Sequence, residues 1–220
     1  MHRQLCQSAT VYLIRHALSS ANADGKIVGG VDARVTDEGL EQAHLLAAHL
    51  GRHRAQLPQP LRLFSSDLPR AEQTSDIIGP AVGVLPEEII RDPRLREIDR
   101  GDWEGRPRNV TYTPEVLAEI ATFGMDHRSP NGESMNDVAL RMRQWLLGLD
   151  EYIQRDGVRT FIAVTHCIST KALIQRVFGL HPGYAELIGI DNTSITKIRS
   201  TPQGWHLDYL NATPHLSRPL

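Results

Sequence analysis

The chain has 220 residues, 40% of them hydrophobic and 23% charged, with a formal net charge of −2. That length suits one domain with a real core, and the near-neutral balance argues against nucleic acid or an anionic membrane as a partner. Two cysteines, Cys6 and Cys167, form neither a metal-ligand spacing nor a disulfide framework, which suits a reducing cytosol. The first apolar run, residues 10–14, is too short for a signal-peptide core, and no run approaches the ~18 apolar residues of a membrane helix. The sequence reads as a soluble cytoplasmic protein.

Residues 10–14 form a short β-branched and aromatic run without polar alternation, the pattern of a buried strand, and it ends in Arg15-His16. Thr36 offers an N-cap to a helix with Leu40, Ala43, Ala47 and Leu50 on one face. A second strand is predicted over 61–64, followed by Ser65-Ser66 and a helix over 69–78 with Pro69 at its first position. Residues 86–132 are polar and punctuated by Gly and Pro, with one weak helix over 114–123. Within them, about 101–132 reads as a cap insertion. The strongest helix covers 133–154, where Val138, Met142, Trp145, Leu149 and Tyr152 recur at helical spacing. A third buried strand at 160–164 leads to Thr165-His166 and a helix over 169–178. Residues 193–199 and 206–210 suggest a closing hairpin, and the Pro-bearing tail from 213 to 220 is expected to be poorly ordered. Alternating strands and helices predict a single α/β domain over 1–220. Its expected form is three layers, a mostly parallel central sheet with helices on both faces, plus the cap insertion.

Three predicted strands thus end in Arg15-His16, in Ser65-Ser66 with Arg70 just beyond, and in Thr165-His166. Ligands of open α/β sheets bind outside the carboxyl ends of the strands. If the three strands are parallel neighbours, two Arg and two His surround one point, and the helix N-termini after them would add N–H donors for an anion. Arg matches the planar, bidentate recognition of phosphate oxygens, so the constellation describes a phosphate pocket. The second Arg-His pair, Arg52-His53, closes a helical pattern and carries no comparable context. His49 and His53 are four apart but have no third ligand in the sequence around them, so no metal and no cofactor is inferred. There is no Gly-x-Ser-x-Gly elbow, and Gly29-Gly30 lacks the Lys-Ser/Thr of a P-loop.

Five segments together resemble the histidine phosphatase superfamily, the phosphoglycerate-mutase-like fold. They are Arg15-His16-Ala17-Leu18-Ser19 with Asn22, the run Ser66-Asp67-Leu68-Pro69-Arg70, and Leu95-Arg96-Glu97-Ile98-Asp99. Gly132-Glu133-Ser134 with Asp137 and Arg141, and Val164-Thr165-His166, complete the family's order. The resemblance implies that His16 attacks phosphorus and becomes phosphohistidine, while Arg15, Arg70, Asn22 and His166 bind the phosphoryl oxygens. His166 counts with His16 and Glu97 among the implied catalytic residues. Glu97 would protonate the leaving oxygen and then activate water, which requires it to carry a proton at the first step. Asp99, Asp102 and Glu104 crowd the same segment. Ala17 stands where the family commonly has Gly, and Cys167 puts a thiol beside the pocket.

The expected activity is metal-independent phosphatase action on small phosphomonoesters, of the histidine acid phosphatase type. The expected partner is a small-molecule phosphate ester, with a homodimer as an admissible assembly. Two rivals stand beside it. A phosphoglycerate mutase would carry a longer Tyr- and Lys-bearing segment after the acidic motif than residues 106–113 supply. A non-catalytic phospho-ligand binder would be expected to lack the nucleophile or the acid. Arg106, Arg108, His127 and Arg128 are the cationic residues of the cap that could read a second anionic group.

Overall fold

A computed structural model describes residues 4–23, 26–30, 33–181 and 183–216. In chain order the strands and helices are β1 (Ala9–Arg15), α1 (Ser20–Ala23), α2 (Asp37–Arg52), β2 (Leu61–Ser65), α3 (Pro69–Val82), β3 (Ile90–Arg91), α4 (Arg108–Thr111), α5 (Pro114–Phe123), α6 (Met135–Asp156), β4 (Thr160–Thr165), α7 (Cys167–Phe178), α8 (Tyr184–Leu187), β5 (Ile195–Thr201) and β6 (Gly204–Ala212). The sheet runs β3-β2-β4-β1-β5-β6. Pairs β3-β2, β2-β4 and β4-β1 are parallel, whereas β5 and β6 close the sheet antiparallel. No helix among the described residues is long and apolar enough to cross a membrane.

The period-2 geometry of strands divides the apolar residues between two cores. Val11 and Leu13 of β1, Phe64 of β2, and Phe161 and Ala163 of β4 face one way, against Val138, Met142, Trp145 and Leu149 of α6 and Leu173 of α7. Ile14, Leu63, Ile162 and Val164 face the other way, against Leu46 of α2 and Ile78 of α3. Helices therefore cover both faces of a mostly parallel sheet, as the buried, unalternated strands required.

Local signals set the helix starts. Thr36 Oγ1 accepts from the Gly39 amide at 3.1 Å, and Ser134 with Asp137 forms a reciprocal capping box at the head of α6. The end of α3, the strand β3 and the C-terminal segment depart from the sequence expectation. α3 continues through Pro80 to Val82, because the interior proline removes a single amide so near the helix end, where Gly83 then supplies the left-handed cap. The two-residue β3 is too short to leave a periodic signal. The C-terminal segment through Leu216 is docked: His215 is buried and its Nε2 lies 2.9 Å from Thr193 Oγ1.

Trp145 is 1% exposed and meets Phe64 edge-on with ring centroids 5.7 Å apart. Trp145→Ala empties the centre of the α6-side core. It should lower the unfolding free energy by about 3–5 kcal/mol, read from denaturant midpoints at constant slope.

Candidate active site

The parallel register makes β1, β4 and β2 end level. Arg15 pairs with Thr165 and Ser65 with Val164. The chain then leaves each strand over the same sheet edge: the His16 amide donates to Thr165 O at 2.9 Å and the Ser66 amide to Val164 O at 2.9 Å. A cavity of about 170 Å³ opens there, with Arg15, His16, Arg70 and Glu97 in its walls. Cys167 and Ile168 at the head of α7 also line it.

His16 is 2% exposed, and its Nδ1 lies 2.7 Å from Ala17 O. A carbonyl only accepts, so Nδ1 carries the proton and Nε2 keeps its lone pair, which receives Arg70 Nε at 3.2 Å. Burial, then the guanidiniums of Arg70 and Arg15, hold this imidazole well below its ordinary 6.5, so it is neutral at physiological pH. The backbone here is pinned on several sides. The Ala17 amide donates to Thr74 Oγ1 at 3.0 Å, Asn192 Nδ2 donates to His16 O at 2.8 Å, and the Thr193 amide donates to Arg15 O at 3.0 Å. Thr193 holds that last contact at a φ of 59°, a left-handed conformation unfavourable for a β-branched residue.

Arg70 is 1% exposed and its second anchor is Gly29 O at 2.8 Å. Burial lowers its pKa, and the negative charge of Glu97 opposes that shift. Gly29 must be glycine, because a Cβ there would fall 2.1 Å from Glu104 Oε1 and 2.6 Å from Ile98 O. Glu104 itself binds the Gly30 amide at 2.6 Å, so it holds the loop over Arg70. Arg15 donates to Ile190 O at 2.6 Å, and its Nε is buried without a partner.

His166 is fully buried beside His16, with ring centroids 5.0 Å apart. Its Nε2 lies 2.8 Å from Ser66 Oγ, leaving Nδ1 buried and unpartnered. Burial and the nearby Arg70 hold it well below 6.5 as well. The side chain of Asn22 lies outside the described residues.

The Glu97 carboxylate meets the head of α7: Oε2 receives the Ile168 amide at 3.3 Å and Oε1 the Ser169 amide at 3.3 Å. This corrects the sequence expectation that helix N-termini stand ready for the anion. The α7 terminus already faces Glu97, and α3 begins with Pro69, which has no N–H, while its Ala71 and Glu72 amides are bonded to Leu68 O. Asp99 and Asp102 are instead engaged by Gly101 N and by Asn131.

A clamp that sequence reasoning left without a role holds the acidic segment. Arg141 donates to the carbonyls of Arg94, Arg96 and Glu97 at 2.8, 2.7 and 3.0 Å while paired to both oxygens of Glu133. Glu133 also binds the Asp99 amide at 3.0 Å. Glu97 stands between the 170 Å³ cavity and a wider cleft of about 490 Å³, which Glu133 and Arg141 line too.

Among the cap residues named from sequence, Arg108 lines the cavity, joined by Arg100, which sequence reasoning did not single out. Arg128 pairs with Asp137, and His127 packs on Trp103 with centroids 5.6 Å apart. Cys167 lines the cavity, where burial and Glu97 push its thiol pKa up, away from the reactive thiolate. At the end of α2, His53 Nδ1 donates to His49 O at 2.8 Å. The His215 ring stands 6.1 Å from that of His49, yet no group of three potential ligands among the described residues could hold a metal ion.

A family model described as the histidine phosphatase superfamily (branch 1) matches residues 11–213. A Yersinia pestis protein named "Probable phosphoglycerate mutase GpmB" is 32% identical, over 95% of each chain. Among solved structures, mycobacterial glucosyl-3-phosphoglycerate phosphatase with VO3 superposes with a TM-score of 0.79 at 29% identity, covering 93% of this chain and 99% of that one. The phosphoserine phosphatase of Entamoeba histolytica in complex with 3-phosphoglyceric acid gives 0.78 at 25% identity, covering 94% and 99%.

His16 and His166 are neutral when folded, whereas a histidine in the unfolded chain takes up a proton near pH 6.5. His215, pushed down to about 4, behaves alike. As pH falls through 6.5 the unfolded state binds protons first, so stability is complete above that pH and declines below it. The expected loss reaches about 1.4 kcal/mol per pH unit for each such histidine. Denaturant unfolding from pH 7.5 to 5.5 should show the decline, and His215→Gln should make it shallower.

Proposed function

The chain belongs to the histidine phosphatase superfamily, and from that membership we propose that it is a metal-independent phosphatase hydrolysing small phosphomonoesters through a phosphohistidine on His16. The observation that carries this reading is the imidazole itself: neutral, with Nδ1–H fixed on Ala17 O and the Nε2 lone pair turned to Arg70. In the proposed reaction Nε2 attacks phosphorus, and the phosphoryl oxygens gather the donors of Arg70, Arg15 and His166, whose Nδ1 donates in the tautomer where Nε2 accepts from Ser66 Oγ. Asn22 is proposed as a further donor. The arginines neutralise charge as it spreads over the transferring group, and the alcohol oxygen leaves with a proton from Glu97. Glu97 then takes a proton from the water that attacks phosphohistidine, which frees inorganic phosphate and restores His16. The cytoplasm, with its soluble phosphate esters, is the proposed place of action.

A mutase would use the same first half-reaction but keep water from the phosphoenzyme and return the group to product. Hydrolysis is favoured by the position of Glu97 between the catalytic cavity and the 490 Å³ cleft, which gives water a way to the base.

His16→Ala should abolish phosphate release from phosphomonoesters, and rapid quench of the wild type with ³²P-labelled substrate should trap an acid-labile phosphoenzyme. Conversion of 3-phosphoglycerate to 2-phosphoglycerate without phosphate release would decide for the mutase. Loosening the Glu133–Arg141 clamp displaces Glu97 and leaves Arg15 and Arg70 in place. Arg141→Gln should therefore lower kcat by up to about a hundredfold with KM little changed, read from steady-state kinetics.

A further inference from the structure

The two imidazoles of the site are buried side by side, yet their tautomers have different origins. His16 takes its tautomer from the main chain. Ala17 O, 2.7 Å from Nδ1, can only accept, and no side-chain substitution removes it. His166 takes its tautomer from a side chain. Its Nε2 lies 2.8 Å from Ser66 Oγ, and a hydroxyl can either donate or accept.

The surroundings of Oγ decide which. The Leu68 amide donates to Oγ at 3.3 Å, so the hydroxyl proton points elsewhere. Ser66 is fully buried, and among the described residues His166 Nε2 is the acceptor within reach of that proton. A ring that donated from Nε2 would leave the serine proton without an acceptor in a dry interior, which is penalised. The serine therefore donates and Nε2 accepts. The ring proton then sits on Nδ1, which is buried and has no protein partner among the described residues. The sheet puts Ser66 there: it follows β2 directly, and its amide donates to Val164 O of β4 at 2.9 Å.

On the premise that the chain is the phosphatase proposed above, we propose that Ser66 is a positioning residue that holds His166 as its Nδ1–H tautomer and so makes that ring a donor to the phosphoryl group. The opposite tautomer would offer the phosphoryl oxygens a lone pair in place of a proton. Ser66 thus acts on the reaction through His166, and the hydroxyl is the part of this arrangement that a substitution can remove.

Nitrogen-15 NMR of the full chain, with labelled histidine at pH 7.5, reads the tautomer directly, because protonated and bare ring nitrogens differ widely in shift. The His166 signals are identified by their absence in His166→Gln. In the wild type the proton should sit on Nδ1, with and without saturating inorganic phosphate. In Ser66→Ala the Nε2–H form should appear at its expense. In the same variant kcat/KM for phosphate release should fall about ten- to a hundredfold, the effect of losing one hydrogen bond to a charged group. A wild-type ring protonated on Nε2, or on both nitrogens, overturns the proposal without any variant having to fold. So does a Ser66→Ala ring that keeps the Nδ1–H form, or one that changes tautomer with kcat/KM unaltered. Failure of the phosphatase reading looks different, since the wild type then releases phosphate from no phosphomonoester. Affinity for inorganic phosphate, measured by calorimetry, then replaces kcat/KM. A fall of the same size in Ser66→Ala upholds the role of Ser66, and unchanged or absent binding removes it.

Discussion

The register of three parallel strands is the constraint on which this site depends. Because Arg15 lies level with Thr165, and Ser65 with Val164, residues remote in sequence leave the sheet together. A slip of one residue in any of these strands would turn its side chains to the opposite face. It would exchange Leu13 for Ile14 between two differently shaped cores, and it would carry His16 away from Arg70. The same packing that makes the register unique therefore makes the site unique.

Electrostatics inside the site follow from that burial. Two arginines approach two imidazoles where water is scarce, and the histidines respond by staying neutral. Glu97 and Glu104 flank the arginines, but each is tied to backbone amides, so neither collapses onto them as a closed ion pair. A buried Arg–carboxylate pair would neutralise the donors that the proposed phosphoryl group needs. Here the acids offset the cationic field from a short distance and leave donor atoms such as Arg15 Nε open.

Much of this was legible in the sequence where the physics is local. Buried parallel strands show as short apolar runs, and their ends marked Arg15, His16 and His166. Thr36 as an N-cap and Pro69 at a first helical position marked helix starts. Other features depend on contacts between remote residues and leave no periodic trace. The contacts of Glu97 lie on α7, and those of Arg141 are main-chain carbonyls, which any residue type could present. Arg100 looks like one more charged residue of a polar loop until the fold shows that its neighbouring acids face elsewhere. The docking of His215 escaped notice for a similar reason, since one hydroxyl and one ring hold it rather than an apolar stripe.

Thr193 sets a limit on how far this scaffold can be improved. Its left-handed backbone is the sort of position where Gly or Asn relieves strain, the usual material of consensus stabilisation. Yet the strained turn delivers an amide to Arg15 O and, through Asn192, a second donor to His16 O, while its hydroxyl meets the C-terminal segment. A chain selected only for heat resistance would be drawn to relax this turn. The placement of His16 would drift as a result, because the same few atoms serve both ends.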